Sequence, residues 1–442
     1  MNSRLVAINV LIEVFDKEGY SNIALNKALN KYPLNDKDKG LVTEIVYGTI
    51  KYRYTIDKIL SKYVDRDLSK VQPEILNILR ISIYQFRYLD KVPDYAVVNE
   101  SVSLAKKISI KASKFVNGIL RSYLRNPFSE LETNNYIEKL CFDYSYPKWM
   151  VELFTKQYGK EKTEDILKGL NSTPMMTVRV NPLKISYDEA FNLLEEKGYE
   201  LEEGYICPEA ICIHKGSSIE NNELFNKGYI TVQDESAMIV SPLMEPEERQ
   251  VFFDLCSAPG GKTTHLGELL NNTGKVYAFD IHNHKLKLIK DNSERLGLKN
   301  IALNEMDSTK LNVNYINSAD GVLLDVPCSG LGIIRKKPEI KWSKSLKSLK
   351  DLIKIQRAIM DNGAEYLKDG GTLIYSTCTL NKGENEENIK WFLQKHKNFK
   401  LEKIFFGNAE NIIYSEEGYV TLLPNKYMDG FFVAKLKKDK RS

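Results

Sequence analysis

The chain has 442 residues, of which 43% are hydrophobic and 28% charged, the proportions of a globular protein with about three domains. Its apolar runs are all shorter than the roughly 18–20 residues that cross a bilayer, so we expect no association with a membrane. Six cysteines in so long a chain do not form a disulfide framework, which favours a cytoplasmic protein, and the net charge of +4 gives little indication of a nucleic-acid partner.

Residues 1–130 are predicted to form an all-α domain. Apolar residues recur at helical spacing between Leu5 and Phe15, and again over 74–88 and 95–108. The domain carries 21 Lys and Arg against 14 Asp and Glu, so its excess of positive charge is larger than that of the whole chain. Such a surface can bind phosphates, although the alternative, that these charges only solvate the helix faces, stays open.

A small α/β module is predicted over 140–245. Two helical stretches precede a strand-like run over 175–180, and a further helix separates that run from shorter ones over 210–214 and 229–232. This alternation of helices and short strands is typical of a separate module.

Residues 246–442 are predicted to form a doubly wound, Rossmann-like α/β domain. Its buried strands are read from five apolar runs, at 251–255, 275–279, 300–303, 321–325 and 372–376. Helical stretches separate these runs, as parallel strands require. Because ligands bind at the carboxyl ends of such strands, functional residues are expected just after each run.

A glycine-containing loop follows the first of these strands. The loop residues are Cys256, Ser257, Ala258, Pro259, Gly260, Gly261 and Lys262. A glycine pair between a strand and a helix lets backbone N–H groups approach an anionic ligand. The loop resembles a P-loop, but Cys256 stands where that motif needs its first glycine, and the G-x-G-x-x-G pattern is absent. A P-loop-like ATPase is therefore the alternative and not the preferred interpretation.

Acidic residues follow the second and third strands. Asp280 is placed to accept hydrogen bonds from ribose hydroxyls, and Asp307 lies where an adenine amino group could be recognised. Together with the glycine loop, these acids predict a nucleoside-containing ligand, although each acid alone could simply cap a loop.

Two cysteines and an acid follow the fourth and fifth strands. Asp325 and Cys328 come after one strand and Cys378 after the other, so all three are expected to face one pocket. A cysteine in such a loop can act as a nucleophile once it is a thiolate, whereas most free cysteines are small core residues. No metal site is predicted, because Cys207, Cys212 and His214 lack a second set of ligands.

These segments resemble the Sun family of RNA (cytosine-5)-methyltransferases, which use S-adenosylmethionine. The resemblance rests on the motifs at 254–265, 325–330 and 376–378, supported by 335–342 and 429–432. It extends through the whole chain, because the helical N-terminus resembles the NusB-type RNA-binding domain of the bacterial 16S rRNA enzymes. Ser257 replaces the alanine that is common at its position.

The resemblance implies a Rossmann-like class I S-adenosylmethionine methyltransferase domain, preceded by an all-α NusB-like domain and a small α/β RNA-binding module. It also implies a mechanism in which Cys378 adds to carbon 6 of the target cytosine. In that mechanism Asp325 contacts the base at its N3 and N4 edge, and Cys328 helps to release the product.

For the cofactor, the resemblance implies that the loop from Cys256 to Lys262 holds the methionine end, Asp280 the ribose and Asp307 the adenine, with Asp325 also beside the cofactor. Lys262 could contact either the cofactor carboxylate or RNA, and these alternatives stay open.

The implied partner is 16S rRNA, free or in a partly assembled small subunit. The stretch 335–354, with eight basic residues and two acidic ones, is expected to flank the pocket and contact RNA. The helical N-terminus leaves a second alternative, a non-catalytic RNA-binding or antitermination-like protein.

Overall fold

The computed structural model describes residues 2–440, which divide into two compact units. The first unit runs up to Asn171 and also includes Ile334–Lys344. The second comprises Ser172–Ile333 and the chain from Ser345 onward. The predicted domain limits at 130, 140 and 245 do not coincide with this division and stay predictions. No helix within 2–440 is long and apolar enough to span a membrane.

The secondary structure is named here in chain order. The helices are α1 (Ser3–Asp16), α2 (Ser21–Lys31), α3 (Asp36–Lys51), α4 (Arg53–Leu60), α5 (Pro73–Tyr88), α6 (Asp94–Ile108), α7 (Ile110–Arg125), α8 (Tyr136–Tyr144), α9 (Lys148–Tyr158), α10 (Lys160–Asn171), α11 (Tyr187–Glu196), α12 (Glu223–Asn226), α13 (Glu235–Met238), α14 (Gly261–Leu269), α15 (Asn283–Leu296), α16 (Ile340–Ser343), α17 (Leu346–Tyr366) and α18 (Glu386–Lys395). The strands are β1 (Met176–Val180), β2 (Glu200–Glu203), β3 (Ala210–Lys215), β4 (Ile230–Val232), β5 (Val251–Asp254), β6 (Lys275–Asp280), β7 (Ile301–Glu305), β8 (Ala319–Asp325), β9 (Leu367–Thr377), β10 (Phe399–Glu402), β11 (Ile412–Tyr414), β12 (Val420–Leu422) and β13 (Phe431–Lys438).

The first unit is all-α, which was predicted for residues 1–130 only, and α5 lies at its centre. Pro73 occupies the first turn of α5, where its missing N–H is not needed, and the side chains from Ile75 to Gln85 are all buried. A helix that is buried on every side packs against several neighbours, here α1, α3, α4, α6 and α7. The side chain of Asn2 caps α1 by accepting from the N–H groups of Arg4 and Leu5.

Residues 334–344 pack within this helical unit, although they lie far along the chain. The buried Glu339 accepts from the N–H and the hydroxyl of Ser21, at 3.2 and 2.7 Å. Nearby, Trp342 donates its ring N–H to the carbonyl oxygen of Ile50 at 2.8 Å. The segment is thus part of the helical core and not a free loop.

The second unit contains a four-stranded antiparallel sheet in the order β2-β3-β1-β4. Strands β1, β3 and β4 match the predicted runs. The pattern did not predict β2, because the sequence of Glu200–Glu203 contains only one apolar residue.

The larger sheet has nine strands, eight of them in the order β11-β12-β13-β9-β8-β5-β6-β7, with β10 pairing with β13. Strands β5 to β9 are parallel and correspond to the five predicted runs, so the Rossmann-like prediction is confirmed. Strands β10 to β13 form an antiparallel extension that was not predicted. Because β5 lies between β6 and β8, the strand order reverses there, and the crevice at their carboxyl ends is where ligands bind in such sheets.

Candidate active site

The glycine loop joins β5 to α14 by a turn that requires glycine. Gly260 has φ of +104°, and α14 begins at the next residue. A Cβ atom at Gly260 would lie 3.2 Å from the side chain of Ile289. The free N–H groups of the first turn of α14 therefore lie at the carboxyl end of β5, where they can bind an anionic group.

Asp254, the last residue of β5, is a buried acceptor of hydrogen bonds from the glycine loop and the start of α14. It is 1% exposed, and Thr263 of α14 donates its hydroxyl to it at 2.6 Å. Burial raises the pKa of Asp254 to about 7, and the hydrogen bond from Thr263 opposes that rise only in part. The sequence motif includes Asp254, but sequence reasoning did not predict this role.

Asp280 and Asp307 lie at the ends of the neighbouring strands β6 and β7. Asp280 accepts from the N–H of His282 at 2.8 Å through one carboxylate oxygen. Asp307 accepts from the hydroxyl and N–H of Thr309, and these bonds lower its pKa. Both side chains thus place carboxylate oxygens at strand ends near β5, and these acceptors fit the sugar hydroxyls and the base amino group of a nucleoside.

Asp325 is held by two donors at the end of β8. Lys262 donates to one carboxylate oxygen at 2.6 Å, and the Ser376 hydroxyl donates to the other at 2.9 Å. Burial lowers the pKa of Lys262, but the attraction and the hydrogen bond from Asp325, together with the interactions with Cys378 and Asp254, outweigh that effect and the pKa is raised. Lys262 is therefore a charged partner of Asp325 in this structure. The sequence had predicted a contact with the cofactor carboxylate or with RNA, and not with Asp325.

Cys328 and Cys378 are brought together, although they are fifty positions apart in the sequence. Their sulfur atoms are 3.3 Å apart, and both side chains are half-buried. Gly332 donates its N–H to the carbonyl oxygen of Cys378 at 2.9 Å, which ties the two loops together. The hydrogen bond with Cys378, together with burial, raises the pKa of the Cys328 thiol. The remaining cysteines are Cys141, Cys207, Cys212 and Cys256.

The small α/β module contributes residues that sequence reasoning left without a role. Arg179 of β1 is 1% exposed and donates to both carboxylate oxygens of Glu268, at 3.1 and 2.8 Å. It also donates to the carbonyl oxygen of Gly261 at 3.0 Å and contacts Gln233. Arg179 therefore fixes the start of α14. In the sequence, the one signal for this role is a basic residue near the end of a predicted strand.

The basic stretch 335–354 is divided between the two units, and some of its basic residues are buried. Residues up to Lys344 belong to the helical unit, and Lys341 is 1% exposed. Its ammonium group donates to carbonyl oxygens of Lys51 and Ser145 and to the side chain of Asn171. Lys341 is thus a buried structural residue, and its predicted contact with RNA is wrong.

Across residues 2–440, no group of three or more His, Cys, Asp and Glu side chains is arranged to hold a metal ion.

Three family models match successive parts of the chain. The NusB family matches residues 1–125, a ferredoxin-like domain of RsmF/B-like methyltransferases matches 146–220, and the 16S rRNA methyltransferase RsmB/F family matches 241–437.

The chain is also similar to curated proteins over its whole length. The probable ribosomal RNA small subunit methyltransferase B of Synechocystis sp. is 37% identical, with 99% of this chain and 100% of the relative covered. The protein of the same name from Bacillus subtilis is 36% identical over 98% of each chain. The ribosomal RNA small subunit methyltransferase B of Proteus mirabilis is 31% identical over 99% of each.

Solved structures with the same fold include PH0851, with a TM-score of 0.84, 28% identity and 99% of each chain covered. NSun6 from Pyrococcus horikoshii, solved with SFG, an analogue of S-adenosylmethionine, has a TM-score of 0.61 and 27% identity. It covers 67% of this chain and 100% of its own.

Proposed function

Because the chain belongs to the RsmB/F family of 16S rRNA methyltransferases, we propose that it transfers a methyl group from S-adenosylmethionine to carbon 5 of a cytosine in 16S rRNA. The observation that carries this proposal is the pair of cysteine sulfurs 3.3 Å apart, beside an aspartate held by a lysine and a serine. S-adenosylmethionine supplies an electrophilic methyl group when bound.

The residues at the strand ends fit this cofactor. The first turn of α14 would bind the methionine carboxylate, and the methionine end would lie along the loop from Cys256 to Gly261. Asp280 would accept from the ribose hydroxyls and Asp307 from the adenine amino group. The left-handed Gly260 supports this assignment, because it keeps the loop free of a side chain at its tightest point.

Cys378 is the proposed nucleophile. Its thiolate forms a bond to carbon 6 of cytosine, which moves the electrons of the ring double bond to carbon 5 and makes that carbon nucleophilic. The charge of Lys262 lies close enough to Cys378 to interact with it. Asp325 would contact the N3 and N4 edge of the base and stabilise the adduct.

Cys328 is the proposed release residue. After carbon 5 has gained the methyl group, its proton leaves to solvent and the bond between carbon 6 and the Cys378 sulfur breaks. The Cys328 thiol, whose pKa is raised, keeps its proton and can deliver it to the departing sulfur. A cytosine inside a stack must first be turned out of it to reach these groups. The basic helical unit is proposed to bind the surrounding RNA.

The test compares two cysteine variants with S-adenosylmethionine and 16S rRNA present. Cys378→Ala should reduce methyl transfer by more than about a thousandfold and leave cofactor affinity unchanged. Cys328→Ala should accumulate a covalent protein–RNA species on a denaturing gel. Cys141→Ala, which removes a buried thiol of the helical unit, is the matched control and should behave like the unmodified protein.

Methyl transfer by Cys378→Ala would overturn the nucleophile assignment, and absence of the covalent species from Cys328→Ala would overturn the release assignment. The ATPase alternative instead predicts ATP hydrolysis and no heat of binding for S-adenosylmethionine in calorimetry.

A further inference from the structure

Ser329 and Thr379, the residues that follow the two cysteines, are linked to the buried carboxylate of Glu384. Glu384 is 0% exposed, and it accepts from the N–H of Ser329 at 2.9 Å and from its hydroxyl at 2.5 Å. The Ser329 oxygen also lies 2.7 Å from the hydroxyl oxygen of Thr379. Because the Ser329 hydroxyl has one proton and gives it to Glu384, the Thr379 hydroxyl must donate to Ser329. One chain of hydrogen bonds therefore joins the residue after Cys328 to the residue after Cys378.

Two further donors complete this network. Gln356 of α17 donates to Glu384 at 2.9 Å and to the carbonyl oxygen of Pro327 at 3.0 Å. Asn381 donates to the other carboxylate oxygen at 3.0 Å. Ser329 is therefore fixed by Glu384. Pro327 is fixed by Gln356, which also donates to Glu384.

A carboxylate suits this position because every group facing it is a donor. Each oxygen of Glu384 accepts two hydrogen bonds, which offset the loss of solvation of a fully buried polar group. An amide in its place would turn an N–H₂ group toward two donors.

We propose that Glu384 is a positioning residue for the release step: it holds the Cys328 thiol within reach of the Cys378 sulfur. This inference rests on the proposed function, because it assumes that Cys328 assists release. Loss of the network should let the loop of Cys328 move away, so that addition by Cys378 continues while expulsion slows.

The experiment measures the covalent protein–RNA species formed with S-adenosylmethionine and 16S rRNA. Glu384→Gln should accumulate at least about ten times more of this species than the unmodified protein, with unchanged affinity for S-adenosylmethionine. Ser329→Ala, which keeps the backbone donor and removes only the hydroxyl, should accumulate an intermediate amount and provides a milder change should Glu384→Gln unfold.

Tyr375→Phe is the matched control. The Tyr375 hydroxyl is fully buried, donates to the backbone carbonyl of Glu384 at 2.5 Å and accepts from Asn388 at 3.2 Å, and neither of these groups is a chain neighbour of a catalytic cysteine. Its loss should lower the melting temperature without trapping RNA. A purely structural role for Glu384 predicts that Glu384→Gln and Ser329→Ala behave like this control, and that result would overturn the inference.

The outcomes also separate this inference from the proposed function. A trapped species in Cys328→Ala but in neither network variant would overturn the role of Glu384 alone. A trapped species in Glu384→Gln that persists when Cys378 is also replaced by alanine would overturn both, because another group would then be the nucleophile.

Discussion

Lys262 at the strand ends is half-buried and Lys341 in the helical unit is buried, but their surroundings shift their pKa values in opposite directions. The Lys262 side chain is 13% exposed, and its ammonium group lies 2.6 Å from the carboxylate of Asp325. Lys341 donates only to neutral oxygens and lies 3.6 Å from the ring of Tyr146. Burial lowers the pKa of Lys341 well below its ordinary value, whereas the pKa of Lys262 is raised.

The difference shows that burial alone does not decide what a charged residue does. A cation paired with an anion stays charged and can influence nearby chemistry, as Lys262 is placed to do beside Cys378. A cation among neutral oxygens gains its stabilisation from hydrogen bonds, and it serves to join chain segments. We therefore expect substitutions at the strand ends to change turnover and substitutions around Lys341 to change stability.

The largest effect is expected from Asp325→Asn. The amide keeps the size of the side chain and can still accept from Lys262, but it replaces a carboxylate oxygen that is proposed to accept from the N3 and N4 edge of the base in the adduct. Methyl transfer should fall by about a thousandfold, as for loss of a group that acts in the transition state. The measurement is single-turnover methyl transfer together with thermal unfolding. A variant that loses stability but keeps its turnover would contradict the expectation that residues at the strand ends act on turnover.

Lys341→Met should have the next largest effect, on stability. Methionine fills the volume of the lysine side chain but leaves the carbonyl oxygens of Lys51 and Ser145 without their donor. Loss of these buried bonds should lower the free energy of unfolding of the helical unit by about 3 kcal/mol. Hydrogen exchange in α3 and α5 would report this loss, with β5 and β8 as internal controls. Unchanged exchange in α3 would show that Lys341 does not hold the segment.

A third effect, on stability, is expected from Asp254→Asn, and it depends on pH. Asp254 is a buried acid whose pKa is raised to about 7, so the folded protein keeps a proton that the unfolded chain releases near pH 4. The contribution of this group to stability therefore falls as the pH rises from about 4 to 7 and is constant above that. The asparagine variant should match the unmodified protein at pH 4 and be more stable by about 4 kcal/mol at pH 8.

Urea unfolding at both pH values measures this difference. Equal stability of the two proteins at pH 8 would mean that Asp254 is stabilised in its charged form. In that case the surroundings of Asp254 would favour its charged form, as those of Lys262 do, whereas those of Lys341 favour its neutral form.

The sequence alone determined the chemistry of the strand ends. The five apolar runs predicted the parallel strands, because a strand buried on both faces is recognisable from local composition. The motifs then fixed which residues follow each strand, from the glycine loop through Asp280 and Asp307 to Asp325 and the two cysteines. Local pattern was sufficient here, because in a parallel sheet the carboxyl ends of all strands meet at one edge.

Only the tertiary structure decided which of these residues touch one another. The contacts between Cys328 and Cys378, and from Glu384 to both of their loops, depend on the order of strands in the sheet, which periodicity does not encode. The burial of Lys341 was equally hidden, because a lysine in a basic stretch is expected in solvent unless oxygens from other elements surround it. Sequence specifies which groups are available, and long-range packing sets the distances between them.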